Sequence, residues 1–237
     1  MRHGCLGWVI ALLMTGVLSA EVTVEQAKAE FEQADAALNA AWGRVKAALD
    51  ERRFAPVQIE QRQWIEDRDR RADYVAGLGH AGDPAIVYWT ERTSMTRMRT
   101  EILNAIAKPV QADDPWTGRW IDGGGGTLLI QAREIEIQFR IDVVRGPTYH
   151  LGYLAGVAPV NENLARFTDA QTADQAKREQ WGETWLTFMR RSDRLELLTA
   201  NTGYYHGARA YFHGAYYRVA PLTDEQRTAV IEGWSNK

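Results

Sequence analysis

Between Pro109 and Pro115 the spacing of apolar residues changes from the helical period to the strand period, and that switch constrains the fold more than any other feature. Before it, Val24, Ala27, Phe31, Ala34, Leu38, Ala41, Val45 and Ala48 recur at alternating steps of three and four. They form one stripe of a long helix over 24–49, widened by Trp42 and Leu49. After it, Ile135, Ile137, Phe139, Ile141 and Val143 alternate with Glu136, Gln138, Arg140 and Asp142, the pattern of a strand with one buried and one wet face. A chain that switches period once is expected to be α+β, with helices and strands segregated.

Two more helices are predicted in the first half. One begins at Pro56, whose missing N–H is not needed in a first turn, and carries Val57, Trp64, Ile65, Arg68, Ala72 and Val75 on one side. The breaker-rich run Gly77–Pro84, with His80, reads as a loop. A third helix over 85–107 uses Ile86, Trp89, Met95, Met98, Ile102 and Ile106. Residues 21–108 therefore read as an antiparallel three-helix bundle and 109–115, with Asp113 and Asp114, as a polar linker. In 116–220, short runs at 116–122, 127–133, 134–143, 149–157, 164–169, 184–191, 194–199, 208–213 and 216–219 predict an all-antiparallel β-barrel or sandwich of about eight strands. Gly123–Gly126, Arg145-Gly146-Pro147, Ser192-Asp193 and His213-Gly214 mark turns, and 170–182 is a long loop or one short helix. Thr223 and Gln226 form a capping box for a short helix to about Trp234, in a tail over 221–237.

Residues 1–20 read as a signal peptide. Arg2 and His3 precede an apolar run from Leu6 to Leu18, too short for the roughly 20 residues of a membrane span. Small residues allow cleavage after Ala20 or Ser19. Cys5 precedes the apolar run, whereas a lipid-bearing cysteine should follow it. The mature chain is then free of cysteine, holds together by burial alone, and is expected in the periplasm or secreted, with no transmembrane segment after cleavage. Residues 21–114 hold 17 acidic against 13 basic side chains, and 115–237 hold 14 of each, so no concentrated basic surface points to nucleic acid. No pattern in the chain specifies an oligomeric state.

The most particular pattern is Leu38-Asn39-Ala40-Ala41-Trp42 on the first helix, followed by Gln61-Arg62-Gln63-Trp64-Ile65-Glu66-Asp67-Arg68-Asp69 on the second and Thr96-Arg97-Met98-Arg99 on the third. On helical geometry Trp42 and Trp64 are core anchors. Arg68, one turn after Trp64, covers the indole or binds a carboxylate of a neighbouring helix. Arg68 and Asp69 point about 100° apart and are not expected to pair. Asn39 is expected to satisfy backbone groups at a helix contact. Over about residues 24–107 these segments resemble the N-terminal domain family of the LprI-like lysozyme inhibitors, a helical module of exported bacterial proteins. The motif residues Leu38, Asn39, Trp42, Gln61, Arg62, Trp64, Arg68, Asp69, Thr96 and Arg99 are expected to specify the bundle, the alternative being that part of the motif meets a partner. The resemblance implies a function without locating it on these residues: a protein partner, a lysozyme, bound by occlusion. The two cysteines that members usually carry fall here at Ala72 and near Glu91.

In the β half, Tyr204-Tyr205-His206-Gly207-Ala208 is echoed by Tyr211-Phe212-His213-Gly214-Ala215. The stretch from Tyr204 to Tyr217 reads as a closing hairpin, with Gly207 free to bend it. Tyr204, Tyr205, His206, Tyr211 and His213, with Arg145 and His150 beside the 145–147 turn, are the candidate partner-binding residues. They grip a sugar or a partner loop, or cap the barrel ends. The mature chain's four histidines, without cysteine or a His-x-x-x-His pair, predict no metal. Gly123–Gly126 lacks the Gly-Lys-Ser/Thr of a phosphate loop, and Glu134, Glu136 and Asp142 read as solvated charges. Nothing assembles a nucleophile, a base and an orienting group, so neither an enzyme nor a cofactor is expected. The alternatives to an inhibitor are a barrel holding a small apolar or glycan ligand, and an envelope assembly factor.

Overall fold

Thr23 starts the first helix with a capping box: its hydroxyl accepts the Gln26 N–H at 3.2 Å, and the Gln26 side chain accepts the Thr23 N–H at 2.8 Å. The computed structural model describes residues 22–79, 82–111, 114–145, 150–170, 173 and 175–235. The signal-peptide reading of 1–20, His80, Asp113, and the Gly146-Pro147 part of the predicted turn lie outside the described residues. Helices α1 (Val24–Ala48), α2 (Glu51–Gly77) and α3 (Pro84–Ala107) follow in order. Contrary to expectation, α2 begins before Pro56, because Asp50 accepts the Arg53 N–H at 2.9 Å and sets the start there. Among the described residues no helix is long and apolar enough to cross a membrane.

The bundle runs up, down, up. Phe31 meets Trp89 and Arg44 meets Asn104, so α1 and α3 are parallel; Gln61 meets Arg99 and Arg71 meets Glu91, so α2 opposes α3. On α1, buried Ala27, Ala34 and Ala41 alternate with Phe31, Leu38 and Val45 at heptad spacing. The alanines let α3 lie close along α1. Leu38, Ala41, Val45, Trp64, Met95 and Leu103 form the bundle core. Ile65, expected on the core side, is exposed.

Arg68 lies inside this bundle. Its guanidinium stands 5.4 Å and 5.2 Å from the rings of Phe31 and Trp64, and 3.5 Å from Asp35 of α1. Both alternatives read from the sequence are therefore realised at once. The adjacent Asp69 also accepts from Arg68 Nε at 2.8 Å, against expectation, because the arginine side chain is long enough to bridge the angular offset between neighbouring helical residues. Asn39 is exposed and donates to Asp35 at 3.1 Å, instead of satisfying backbone at a helix contact. Beside Ala72, Arg71 and Glu91 pair at 2.5 Å and tie α2 to α3.

The second half is a closed antiparallel barrel, β1-β2-β3-β4-β5-β6-β7-β8, each strand paired to its sequence neighbour and β8 returning to β1. The strands are β1 (Gly118–Ile121), β2 (Gly126–Ala132), β3 (Glu136–Arg145), β4 (His150–Asn161), β5 (Leu164–Thr168), β6 (Trp185–Arg190), β7 (Leu195–Ala200) and β8 (Gly214–Ala220). A short helix α4 (Gln175–Trp181) joins β5 to β6, and α5 (Asp224–Ser235) follows β8. Thr223 and Gln226 cap α5 reciprocally, as predicted. Ile135 falls in the β2–β3 turn and is exposed, so the inward row of β3 begins at Ile137.

That row fills the interior, as expected for a barrel of eight strands. Phe139 packs edge-on to Phe167 at 5.2 Å and against Phe188 at 4.8 Å, with Leu128, Ile130, Leu154 and Leu186 fully buried around them. Outside the barrel, Ile102 of α3 packs on Ile121 and Tyr217, fixing the bundle over β1 and β8, while Glu101 pairs with Arg119 at 2.5 Å. Helix α5 covers β2, β3 and β4, its own Val230 packing with Leu129 of β2 and with Leu222.

Candidate functional site

In an up-and-down barrel the β1–β2, β3–β4, β5–β6 and β7–β8 connections all emerge at one end, called here the upper mouth. All seven candidate residues of the β half sit at that mouth: Arg145 and His150 on facing ends of β3 and β4, the other five in the β7–β8 connection. This connection is not a hairpin. Gly203–Tyr205 form a 3-10 turn, His206 makes one bridge to Gly152, and 207–213 cross the mouth without pairing as a strand. The expected strand over 208–213 is absent for a packing reason: Ala210 and Phe212 turn inward and close the top of the barrel core. Gly152 permits this crossing, since a Cβ there would stand 2.7 Å from His206 Cβ and 3.0 Å from Phe212 Cε1.

Arg145 is the inward residue at the end of the β3 row and is 1 % exposed. It pairs with Asp122 at 2.5 Å, donates from Nε to the Tyr211 carbonyl at 3.0 Å and from Nη2 to the Tyr216 hydroxyl at 3.2 Å, and lies under the Tyr211 ring at 4.4 Å. Burial opposes the Arg145 charge, but Asp122 outweighs it and leaves the pKa above the ordinary arginine value. Burial and the same carboxylate push the Tyr216 phenol well up. Asp122 also accepts the Gly124 and Gly126 N–H groups at 2.9 Å and 2.8 Å. The four-glycine turn therefore does cradle an anion, and that anion is the chain's own carboxylate.

The remaining mouth residues divide between anchor and surface. His206 Nδ1 lies 3.0 Å from the Gly207 carbonyl, so in the neutral ring it carries the proton and Nε2 accepts from the Thr202 hydroxyl at 3.0 Å. The Tyr205 hydroxyl donates to Asp169 at 2.9 Å; Asp169 also accepts from Lys177 of α4 and from the Thr184 N–H. Lys177 further donates to Gly182 O and Thr184 Oγ1, so α4 is fastened over the mouth by one buried ammonium. Tyr204 packs edge-on to Tyr205 and is exposed. Tyr211 stacks on His213 at 4.6 Å, and both are exposed. His150 is half-buried.

Of the helical motif, Leu38, Gln61, Trp64, Arg68, Thr96 and Arg99 are buried, and Arg99 donates to Gln61 at 2.8 Å. Trp42 tilts on Phe54 at 5.0 Å, while Asn39 and Arg62 are exposed. This motif and the upper mouth meet in one groove of about 440 Å³. Gln63, Trp64, Asp67 and Arg71 of α2 form one wall; Asp122, Gly123, Gly124 and Tyr211 form the other. Sequence reasoning missed Asp122, Gln63 and Asp67 as members of this groove. An aspartate before four glycines was the available signal for the first, because those N–H groups need an acceptor. Among the described residues no group of three His, Cys, Asp or Glu is placed to hold a metal ion.

Residues 18–103 match the family model described as Lysozyme inhibitor LprI, so the helical half carries the pattern that its three motifs implied. No curated protein and no solved structure matches the chain.

Proposed function

We propose that this chain is an exported envelope protein that binds a lysozyme-type muramidase and occludes its cleft. The observation that carries the reading is the match of residues 18–103 to a lysozyme-inhibitor family. The groove supports it further. One wall lies inside the matched segment, the other is the aromatic mouth, and exposed Tyr211 stands beside Gln63 and Asp67. Interfaces of this kind place aromatic anchors at the centre and polar groups at the rim. The candidate residues Tyr204, Tyr211, His213 and His150 extend that surface, and Arg145, Tyr205 and His206 hold it in shape. The protein then acts by surface complementarity and not by bond-making. A mild excess of carboxylates in the helical half favours a basic enzyme, most at low salt.

A barrel that stores a small apolar or glycan ligand is disfavoured by the packed interior, in which Phe139, Phe188 and Phe212 are fully buried. The test is a titration of peptidoglycan lysis with the mature chain against lysozymes of several classes, paired with co-elution of the complex. Inhibition of one class at stoichiometric dose supports the proposal. Absence of inhibition and of co-elution with every class removes it.

A further inference from the structure

At the opposite end of the barrel, Arg190, Arg191, Arg194 and Arg218 line a cavity of about 170 Å³, where the β6–β7 turn meets Pro109 and Pro115. Two of the four charges are accounted for. Arg191 and Arg194 share Glu196 at 3.3 Å and 3.0 Å, and Arg194 also reaches Asp193 at 3.3 Å. The other two make no salt bridge among the described residues. Arg218 lies over Trp120 at 4.8 Å and donates to the carbonyl oxygens of Asp114 and Pro115, while the Asp114 carboxylate is occupied by the Trp116 and Thr117 N–H groups at 2.7 Å. Arg190 stands 5.8 Å from the Trp116 ring, has no ion pair among the described residues, and leaves its Nε buried without a hydrogen-bond partner.

Burial lowers the Arg218 pKa; Asp114 opposes that effect, and the neighbouring Arg190 adds to it. Both guanidiniums line the same cavity, and like charges placed so repel each other. Stacking on tryptophan and capping of carbonyls explain where Arg218 points. They do not explain the second arginine that lines the same cavity without a salt bridge among the described residues and with its Nε lacking a hydrogen-bond partner. Two planar forks around a small cavity are the arrangement that takes an oxyanion, each fork offering paired N–H donors.

We propose that the lower mouth of the barrel binds a phosphate- or sulfate-type oxyanion between Arg190 and Arg218. Its source is a free anion or the phosphate of a lipid headgroup. The test uses the full mature chain and follows the arginine Nε–Hε resonances during additions of inorganic phosphate, of sulfate, and of chloride at matched ionic strength. A parallel arm measures sedimentation with phosphatidylglycerol vesicles.

The expected result is a saturable shift of Arg190 and Arg218 with phosphate and sulfate but not with chloride. Arg190→Gln, shown folded by circular dichroism, should weaken binding about tenfold or more, while the exposed Arg62→Gln leaves it unchanged. Response to phosphate alone assigns the site to a soluble anion, and response to both phosphate and vesicles assigns it to a headgroup. If no resonance of the wild-type chain saturates, if Arg190→Gln binds equally well, or if vesicles bind without any phosphate response, the proposal is overturned. The wild-type resonances decide the matter even where the variant does not fold. The outcome is independent of lysozyme binding, which the upper groove is proposed to carry.

Discussion

Arg145 and Asp122 form an ion pair of 2.5 Å at the upper mouth, with side chains only 2 % and 7 % exposed. The pair joins the end of β3 to the glycine turn after β1, and through the Tyr211 carbonyl it also holds the segment that crosses the barrel. Removing one partner of such a pair leaves a buried charge without compensation. Arg145→Ala is therefore expected to lower unfolding free energy by about 3–5 kcal/mol, measured by urea denaturation. A loss under about 1 kcal/mol would mean the pair behaves as a surface bridge.

Acid should loosen the cover over the mouth. Burial pushes the Asp169 carboxyl up, but hydrogen bonds from Lys177, the Thr184 N–H and Tyr205 outweigh it and hold the group below its ordinary 3.8. A depressed folded value means that the stabilisation is complete above the unfolded pKa and disappears as pH falls through the folded one. Carboxyl-carbon NMR should show Asp169 titrating below 3.8, with the Trp181 environment changing in step. Titration at or above the ordinary value would contradict the buried network.

At the alkaline end the sign reverses. Burial first, then Glu60, raise the Tyr217 phenol to about 12, because ionising it would place a charge between α3 and β8. A raised folded value gives stability that is full below the unfolded pKa of 10.0 and lost as pH climbs towards 12. Tyr217→Phe keeps the ring against Ile102 and should make the alkaline loss less steep in thermal melts taken across that window. Tyr205 and Tyr216 are raised as well, so the slope should shrink without vanishing.

The filled interior can be tested with one methyl group. A Cβ at Gly156 would stand 2.5 Å from Phe167 Cε2 and 3.2 Å from Phe139 Cε1. Gly156→Ala is expected to cost about 1–3 kcal/mol of stability, because the ring stack has nowhere to move. A neutral substitution would indicate spare room and would revive the reading of a ligand-holding barrel.

The helices, the strand alternation and the resemblance of 24–107 were legible because each depends on periodicity or on spacing within one element. The α2 start was misplaced since a capping aspartate outranks a proline that merely tolerates a first turn. The strand expected over 208–213 failed for a different reason. Its alternating aromatics are real, but Phe212 serves as a plug across the mouth, and local pattern cannot distinguish a plug from a strand. Arg145 could have been placed inside by continuing the odd-numbered row of β3 by one step. The groove could not have been found that way. It arises where α2 passes the glycine turn, and the two walls are about 60 residues apart in sequence, from Gln63 to Asp122.

The groove between α2 and the upper mouth is the surface proposed to seat a muramidase. The most direct measurement is a lysis titration comparing the mature chain with the double variant Asp67→Arg/Tyr211→Ala, whose changed side chains are exposed and leave the Arg145–Asp122 pair in place. Stoichiometric inhibition is expected from the wild-type chain, and an effect at least tenfold weaker from a variant that melts normally, since a lost anchor and an inverted rim charge together exceed about 1.4 kcal/mol. Equal inhibition by both proteins would place the contact elsewhere, and inhibition by neither would mean that the chain does not act on a muramidase.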